Sequence, residues 1–242
     1  MINYCIAAGC EVEIAGEASL STTSFTLYVD GKPVVVDFSD YDSVIPNLST
    51  PCLKFHCSEN TLRTNPTIKV FPPVSFYSWK EYDILSKCIT YGCNSDLILN
   101  RQRPYGGALD RRNMVQQSLR DLYGNKVQTC LVSQAEYWQE INSCLVAVFV
   151  PGARNDMIDR GQLQYMAFGC CTISPKLNDI LPGNQKIEAG IHYIQCKDDY
   201  SDLSSQIEFV RHNRDLAIVI GSNAKLLFQN SCIPKLLDVS WK

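Results

Sequence analysis

Histidine is scarce in this chain: three residues, at 56, 192 and 212, among 242. Neither C-x2-C nor His-x3-His spacing occurs, so the usual grammar of a structural zinc site is missing. Basic excess is missing too. Lys+Arg number 22 against 25 Asp+Glu, a formal net charge of −3. No global positive field exists to hold nucleic acid or an anionic membrane, and an anionic ligand has to be met by a local group of cations. No apolar run approaches the ~20 residues of a membrane-spanning helix. The opening MINYCIAAGCEVEIAG has no basic region and carries Glu11 and Glu13, so a signal peptide is not expected. Walker A and G-x-G-x-x-G patterns are also missing.

What the chain does have is an ordinary globular composition, 45% apolar and 19% charged. Its length suits one large domain or two small ones. Twelve cysteines are present, with a C-x4-C spacing at Cys5/Cys10, Cys52/Cys57 and Cys88/Cys93. Cys130, Cys144, Cys170 and Cys171 fall in apolar runs, where a thiol is a small hydrophobe. Reduced thiols in a reducing, cytoplasmic setting are the expectation, with no bound metal and no obligatory disulfide.

From residue 96 onward short apolar runs alternate with helix-period segments. DLILNR (96–101), VQTCLV (127–132), CLVAVFV (144–150), CCTIS (170–174) and HYIQC (192–196) read as strands. Between them, Val115/Leu119/Leu122 before Gly124, the Ser133-x-x-Glu136 capping box, and Leu163/Met166/Ala167 before Gly169 mark helices. Two further helices carry Leu203/Ile207/Val210 and Leu216/Ile220/Ala224/Leu227. This alternation predicts right-handed crossovers and a parallel sheet, with ligands outside the carboxyl ends of the strands, in the loops after residues 101, 132, 150 and 174. The first 95 residues are less regular. They hold a hairpin turning at Asp30-Gly31, a strand in PCLKFHC, a break at Pro72-Pro73 and a helix over 79–88 opened by Ser78-x-x-Glu81. They read as a small or incomplete α/β lobe.

Two segments carry candidate chemistry. In the loop after residues 96–101, Arg101, Arg103, Gly106, Gly107, Arg111 and Arg112 lie between a strand end and a helix start. Glycine lets backbone amides approach an anion, a helix N-terminus adds partial positive charge, and arginine gives bidentate donors, so the loop reads as a diphosphate cradle. The second segment, Pro151 to Pro175, runs from a strand through a polar loop and a helix to a glycine and another strand. Asp156, seven residues, Gln164, then Tyr165-Met166-Ala167-Phe168-Gly169 and Cys170–Ser174 resemble the E-x7-E segment in the donor-binding lobe of GT-B glycosyltransferases of the family-4 and family-1 type. Both acids of that pattern are changed here. The resemblance implies that Asp156 faces the transferred sugar, Gln164 the ribose and Arg160 the phosphates. Ile187-Glu188-Ala-Gly190-Ile-His192-Tyr193 and Asp199-Tyr-Ser-Asp202-Leu resemble the closing segment of that lobe, which adds Glu188 to the donor-binding set.

His192 lies within an apolar strand, where a hydrogen-bonded core histidine is the plain reading. It stays a catalytic candidate because imidazole is readily tuned. Asp37 and Asp40, near a strand end, are candidates for an acceptor-side base. Asp156, His192 and Asp40 thus form the catalytic set. His56, between Phe55 and Cys57, reads first as a packing residue.

The expected architecture is α/β and GT-B-like: a reduced acceptor-side lobe over 1–93 and a Rossmann-type nucleotide-sugar-binding lobe over 94–242. The expected activity is metal-independent, cofactor-free transfer of a sugar from a nucleotide-diphosphate donor to an acceptor glycan or other hydroxyl compound. The alternative is a non-catalytic nucleotide-sugar-binding module or one subunit of a split transferase. Neither nucleic acid nor a transmembrane segment is expected, whereas a partner subunit or homodimer is compatible with the reading.

Overall fold

The structure is a computed structural model that describes residues 11, 24–29, 31–39, 50–71, 78–152 and 154–233. Strands β1 (Ser24–Val29) and β2 (Lys32–Asp37) form the expected hairpin. Val29 pairs with Lys32 across a two-residue turn, and Gly31 sits at φ +74°, where a side chain would be strained. Strand β3 (Cys52–Lys54) adds parallel to β2, and β4 (Ile68–Val70) adds parallel to β3. Between them runs helix α1 (Glu59–Thr64), whose N-cap Ser58 accepts from the Thr61 amide. One face of this four-stranded sheet carries an aromatic ladder, with Phe38 stacked on Phe55 at 4.2 Å between centroids and Phe55 against Phe71 at 5.3 Å. Lys54 is fully buried beside Asp37, with its ammonium 3.0 Å from the carboxylate. A buried pair of this kind tolerates loss of neither partner, because the survivor would be an uncompensated charge. The Pro72-Pro73 break and Asp40 lie outside the described residues.

Helix α2 (Trp79–Cys88) is capped by Ser78, whose hydroxyl accepts from the Glu81 amide. Its Tyr82 packs on Phe168 and Phe228, in one core with Ile89, Tyr91 and Cys93. The short strand β5 (Ile98–Leu99) leads through a 3-10 turn at Gly106–Ala108 into helix α3 (Leu109–Tyr123). Strand β6 (Val127–Gln128), helix α4 (Gln134–Glu140) and strand β7 (Val146–Val148) follow. The Ser133–Glu136 capping box is formed in both directions.

Helix α5 (Arg160–Ala167) then leads to strand β8 (Thr172–Ser174). A two-stranded ribbon, β9 (Ile180–Leu181) and β10 (Gln185–Lys186), precedes strand β11 (Ile194–Gln195). Helices α6 (Leu203–His212) and α7 (Arg214–Ser231) complete the described chain.

The five strands pair in parallel in the order β11-β8-β7-β5-β6. The chain moves outward from β5 to β6, then returns to the other side of β5 for β7. That reversal makes a switch point between β5 and β7, where the loops leaving the two strands diverge and open a crevice. The expected parallel sheet and its α/β class are present. The strands are shorter than the apolar runs suggested, although every residue from Cys144 to Val150 is buried. Two expected core positions face outward instead: Leu122 on α3 and Leu216 on α7 are exposed. The buried face of α3 is Arg112, Val115, Gln116 and Leu119, and that of α7 runs through Ala217, Ile220, Gly221 and Ala224. Helix α7 crosses the turn before β8 so closely that a Cβ on Gly221 would stand 1.9 Å from the Gly169 carbonyl oxygen.

The two units meet at their strand ends. The Ile180 amide donates to the Cys57 carbonyl at 2.9 Å, and Lys186 pairs with Glu59 at 2.9 Å. Among the described residues no helix is long and apolar enough to cross a membrane.

Candidate functional site

The crevice at the switch point is occupied by the protein's own side chains. Asn100, just past β5, donates to the Val148 carbonyl at 3.0 Å. Gln102 bonds Val150 in both directions, donating to its carbonyl at 2.9 Å and accepting from its amide at 2.5 Å. Gln116 reaches down from α3 to the Asn100 side chain at 3.1 Å and the Gln102 carbonyl at 2.9 Å. Arg112 sits beneath them, buried, donating to the Val150 and Arg103 carbonyls and to Asp159 at 3.0 Å. Arg111 gives its donors to the carbonyls of Pro151 and Gly152, at 2.9 and 2.6 Å.

These contacts revise the proposed diphosphate cradle. Arg111 spends a guanidinium nitrogen on the loop after β7. Arg101 turns the other way, in a bidentate ion pair with Glu140 of α4 and a bond to the Cys130 carbonyl. Gly106 and Gly107 form the exposed 3-10 turn that starts α3, with Gly106 at φ +54°. Of the cradle arginines, Arg103 keeps an exposed side chain with no partner among the described residues. The N-terminus of α5 is taken as well. Its N-cap Asp159 accepts from the Gly161 and Gln162 amides at 2.6 and 3.3 Å, satisfying donors a phosphate would otherwise use.

Open space lies one strand further along the same carboxyl edge. A cavity of about 340 Å3 is lined by Arg154, Asn155, Asp156, Lys176, Asn178 and Asp198, from the loops after β7, β8 and β11. Its walls are cross-braced. Asn178 donates its backbone amide to the Asp156 carbonyl and its side-chain nitrogen to the Asp156 carboxylate, both at 2.9 Å. Asn155 donates to the Asp198 carbonyl at 2.9 Å and accepts from the Tyr200 hydroxyl at 2.9 Å. Tyr200 is buried and held at φ +60°, a conformation a bulky residue adopts only where its surroundings fix it. Burial pushes its phenol well above the ordinary range, so it remains a donor to Asn155. Arg154 lies 3.3 Å from Asp156. Lys176 is exposed, and among the described residues its ammonium has no partner. The site therefore sets two cations and two amide side chains beside the aspartates Asp156 and Asp198, a lining that suits a polar ligand better than an apolar one.

The sequence candidates distribute unevenly over this edge. Asp156 lines the cavity. Arg160 is the exposed first residue of α5, and Gln164 is buried one turn later on the same helix. Glu188 and His192 are not brought to the cavity. They lie before β11, at the amino edge of the sheet, while Asp198 follows β11 at the carboxyl edge. His192 belongs to a turn rather than a strand. Its Nδ1 accepts from the Glu188 amide at 3.0 Å, and burial lowers its pKa below the ordinary imidazole value. Sequence reasoning missed Arg154, Lys176, Asn178 and Tyr200. The available signal was position: all four follow strands in loops predicted to matter or directly beside them. Among the described residues, no group of three or more His, Cys, Asp or Glu is arranged to hold a metal ion. No protein-family model matches this chain, and no curated protein is similar to it.

Proposed function

We propose that this protein transfers a sugar from a nucleoside-diphosphate donor to an acceptor hydroxyl, with a GT-B-like pairing of two lobes. The observation that carries the reading is the cavity at the carboxyl edge of the parallel sheet, whose charged lining is Arg154, Lys176, Asp156 and Asp198. That edge is where α/β sheets bind ligands. Two cations alongside two carboxylates suit a ligand that joins a diphosphate to a polyol. Lys176 and Arg154 meet the charge that develops on the leaving diphosphate, and Asp156 accepts from sugar hydroxyls. The smaller unit, whose strand ends reach this edge at Cys57 and Glu59, supplies the acceptor side.

Titration calorimetry with UDP and GDP tests the donor site, and hydrolysis of nucleotide-sugars in the absence of acceptor tests catalysis. A nucleoside diphosphate at 100 times its Kd adds about 2.7 kcal/mol of apparent stability. Absence of binding by any nucleoside diphosphate at millimolar concentration rejects the reading. Binding without donor turnover under any condition marks a nucleotide-sugar-binding module instead.

A further inference from the structure

We infer that Tyr200 is a positioning residue for the cavity, holding Asn155 so that Arg154 and Asp156 meet the donor at a fixed spacing, an inference that rests on the transfer reading above. Tyr200 stands behind the lining, in the turn between β11 and α6. Its ring is buried in the core of the second unit, and its hydroxyl donates to Asn155 Oδ1 at 2.9 Å. The Arg111 guanidinium lies beside the same hydroxyl. Asn155 sits between Arg154 and Asp156 in sequence, and all three line the cavity.

The backbone marks Tyr200 out. Its φ of +60° is left-handed, a conformation that glycine or asparagine adopts at little cost and in which a tyrosine Cβ crowds its own backbone. Such a conformation persists only where the surroundings fix it, and it points to function rather than to stability. Here the turn fixes it. The Tyr200 amide donates to the Lys197 carbonyl at 2.9 Å, the Leu203 amide to the Tyr200 carbonyl at 3.1 Å, and the Lys197 amide to Asp202 Oδ1 at 2.8 Å. Glycine would make the same turn without strain, so the turn alone does not call for a tyrosine. Phenylalanine would fill the same space in the core, so the hydroxyl carries the assignment.

Asn155 is held at both ends of its amide. Its Nδ2 donates to the Asp198 carbonyl at 2.9 Å, while Oδ1 accepts from Tyr200. The two bonds join the loop after β7 to the loop after β11, and so span β8, which lies between those strands in the sheet. Asn178, from the loop after β8, holds Asp156. Three loops are thus closed into one wall whose amide side chains are oriented before a ligand arrives. Without the Tyr200 hydroxyl, Asn155 keeps one anchor and its amide can turn. The ligand itself must then order Arg154 and Asp156, and that ordering is subtracted from affinity.

The test is calorimetry with UDP and GDP on the full chain as wild type, Tyr200→Phe, Asn155→Ala and the double variant. Tyr82→Phe, which removes another buried hydroxyl from a ring packed on Phe168 and Phe228, is the control. The expected result is that Tyr200→Phe melts cooperatively and binds the nucleoside diphosphate about five- to tenfold more weakly than wild type. Asn155→Ala loses at least as much. The double variant binds within about twofold of Asn155→Ala, because the hydroxyl acts through that amide. Tyr82→Phe binds as wild type does. Should Asn155→Ala not fold, Asn155→Ser, too short to reach the hydroxyl, takes its place in the cycle. Wild-type affinity in Tyr200→Phe overturns the inference while leaving the donor site standing. So does a double variant whose two losses multiply, which marks Tyr200 as acting apart from Asn155, or an equal loss in Tyr82→Phe, which marks general loosening. Failure of wild type to bind any nucleoside diphosphate overturns the transfer reading and this inference with it.

Discussion

Arg112 and Asp159 form a 3.0 Å ion pair that joins the start of α3 to the N-cap of α5 across the switch point. The pair does two jobs with one carboxylate. Asp159 Oδ1 holds the first amides of α5, while Oδ2 holds the guanidinium. Arg112→Ala removes the guanidinium but leaves the carboxylate and two strand-end carbonyls without their donor. The expected loss is about 3 kcal/mol, at the lower end for a broken buried pair because Asp159 remains part-exposed. Urea denaturation of the variant measures it. Asp159→Asn keeps the capping acceptor and costs less.

Lys176→Ala should separate binding from folding. The side chain is exposed and has no partner among the described residues, so the melting temperature should change by no more than ~0.5 kcal/mol of stability implies. If the ammonium meets a diphosphate, UDP or GDP affinity falls roughly ten- to a hundredfold. Arg101→Ala gives the opposite pattern, because its guanidinium is committed to Glu140 and the Cys130 carbonyl. Stability drops and nucleotide affinity holds. Calorimetry and thermal melts on both variants make the comparison.

Gly221→Ala places a methyl group 1.9 Å from the Gly169 backbone oxygen. A backbone atom cannot step aside as a flexible side chain can, so α7 must move off the turn before β8. The cost is about 3 kcal/mol or more, read as a fall in the denaturant midpoint. Gly152→Ala, at a glycine with nothing within 4 Å of the built Cβ, is the control and leaves the midpoint almost unchanged.

Mild acid should weaken the protein through His192. Its Nδ1 accepts the Glu188 amide, and burial holds its pKa below the ordinary 6.5. The unfolded chain therefore takes up the proton first. The contribution is complete above about pH 6.5 and is lost as pH falls through the lowered folded value. His192→Gln can accept the same amide without titrating. Melting temperatures of the two proteins should thus converge, or reverse in order, between pH 7 and pH 5; parallel curves would assign the acid sensitivity to other groups.

Much of the second unit is legible in its sequence because the determinants are local. The Ser133–Glu136 capping box, the Cys144–Val150 run and Gly169 at φ +76° each act within a few residues of their own position. The site is less legible because its determinants are not local. Arg101 and Arg112 both read as cations of the cradle. Glu140 arrives from α4 to pair with Arg101, whereas Arg112, with Gln116, occupies the buried face of α3 beside Val115 and Leu119, because the diverging strand ends beneath offer carbonyls to satisfy them. The resemblance that pointed to Asp156, which lines the cavity, added Glu188 through its closing segment, and Glu188 and the catalytic candidate His192 are carried to the opposite edge by the direction of β11.

The packing of α2 against α7 bears on how the chain acquires its structure during synthesis. Tyr82 and Trp79 stack near Phe228, with ring centroids 5.6 and 6.5 Å away. The first of these segments leaves the ribosome before any strand of the parallel sheet, and the other leaves after all of them. Until α7 emerges, the rings of α2 lack the cover of Phe228 and have only partners such as Phe168, and the turn at Gly169 lacks the helix that closes over it. Such sequence-distant closure slows folding, because a long loop must be ordered before its contacts repay the entropy. The nascent chain therefore exposes apolar surface of α2 from its emergence until that of α7, which makes α2 the segment with the longest wait.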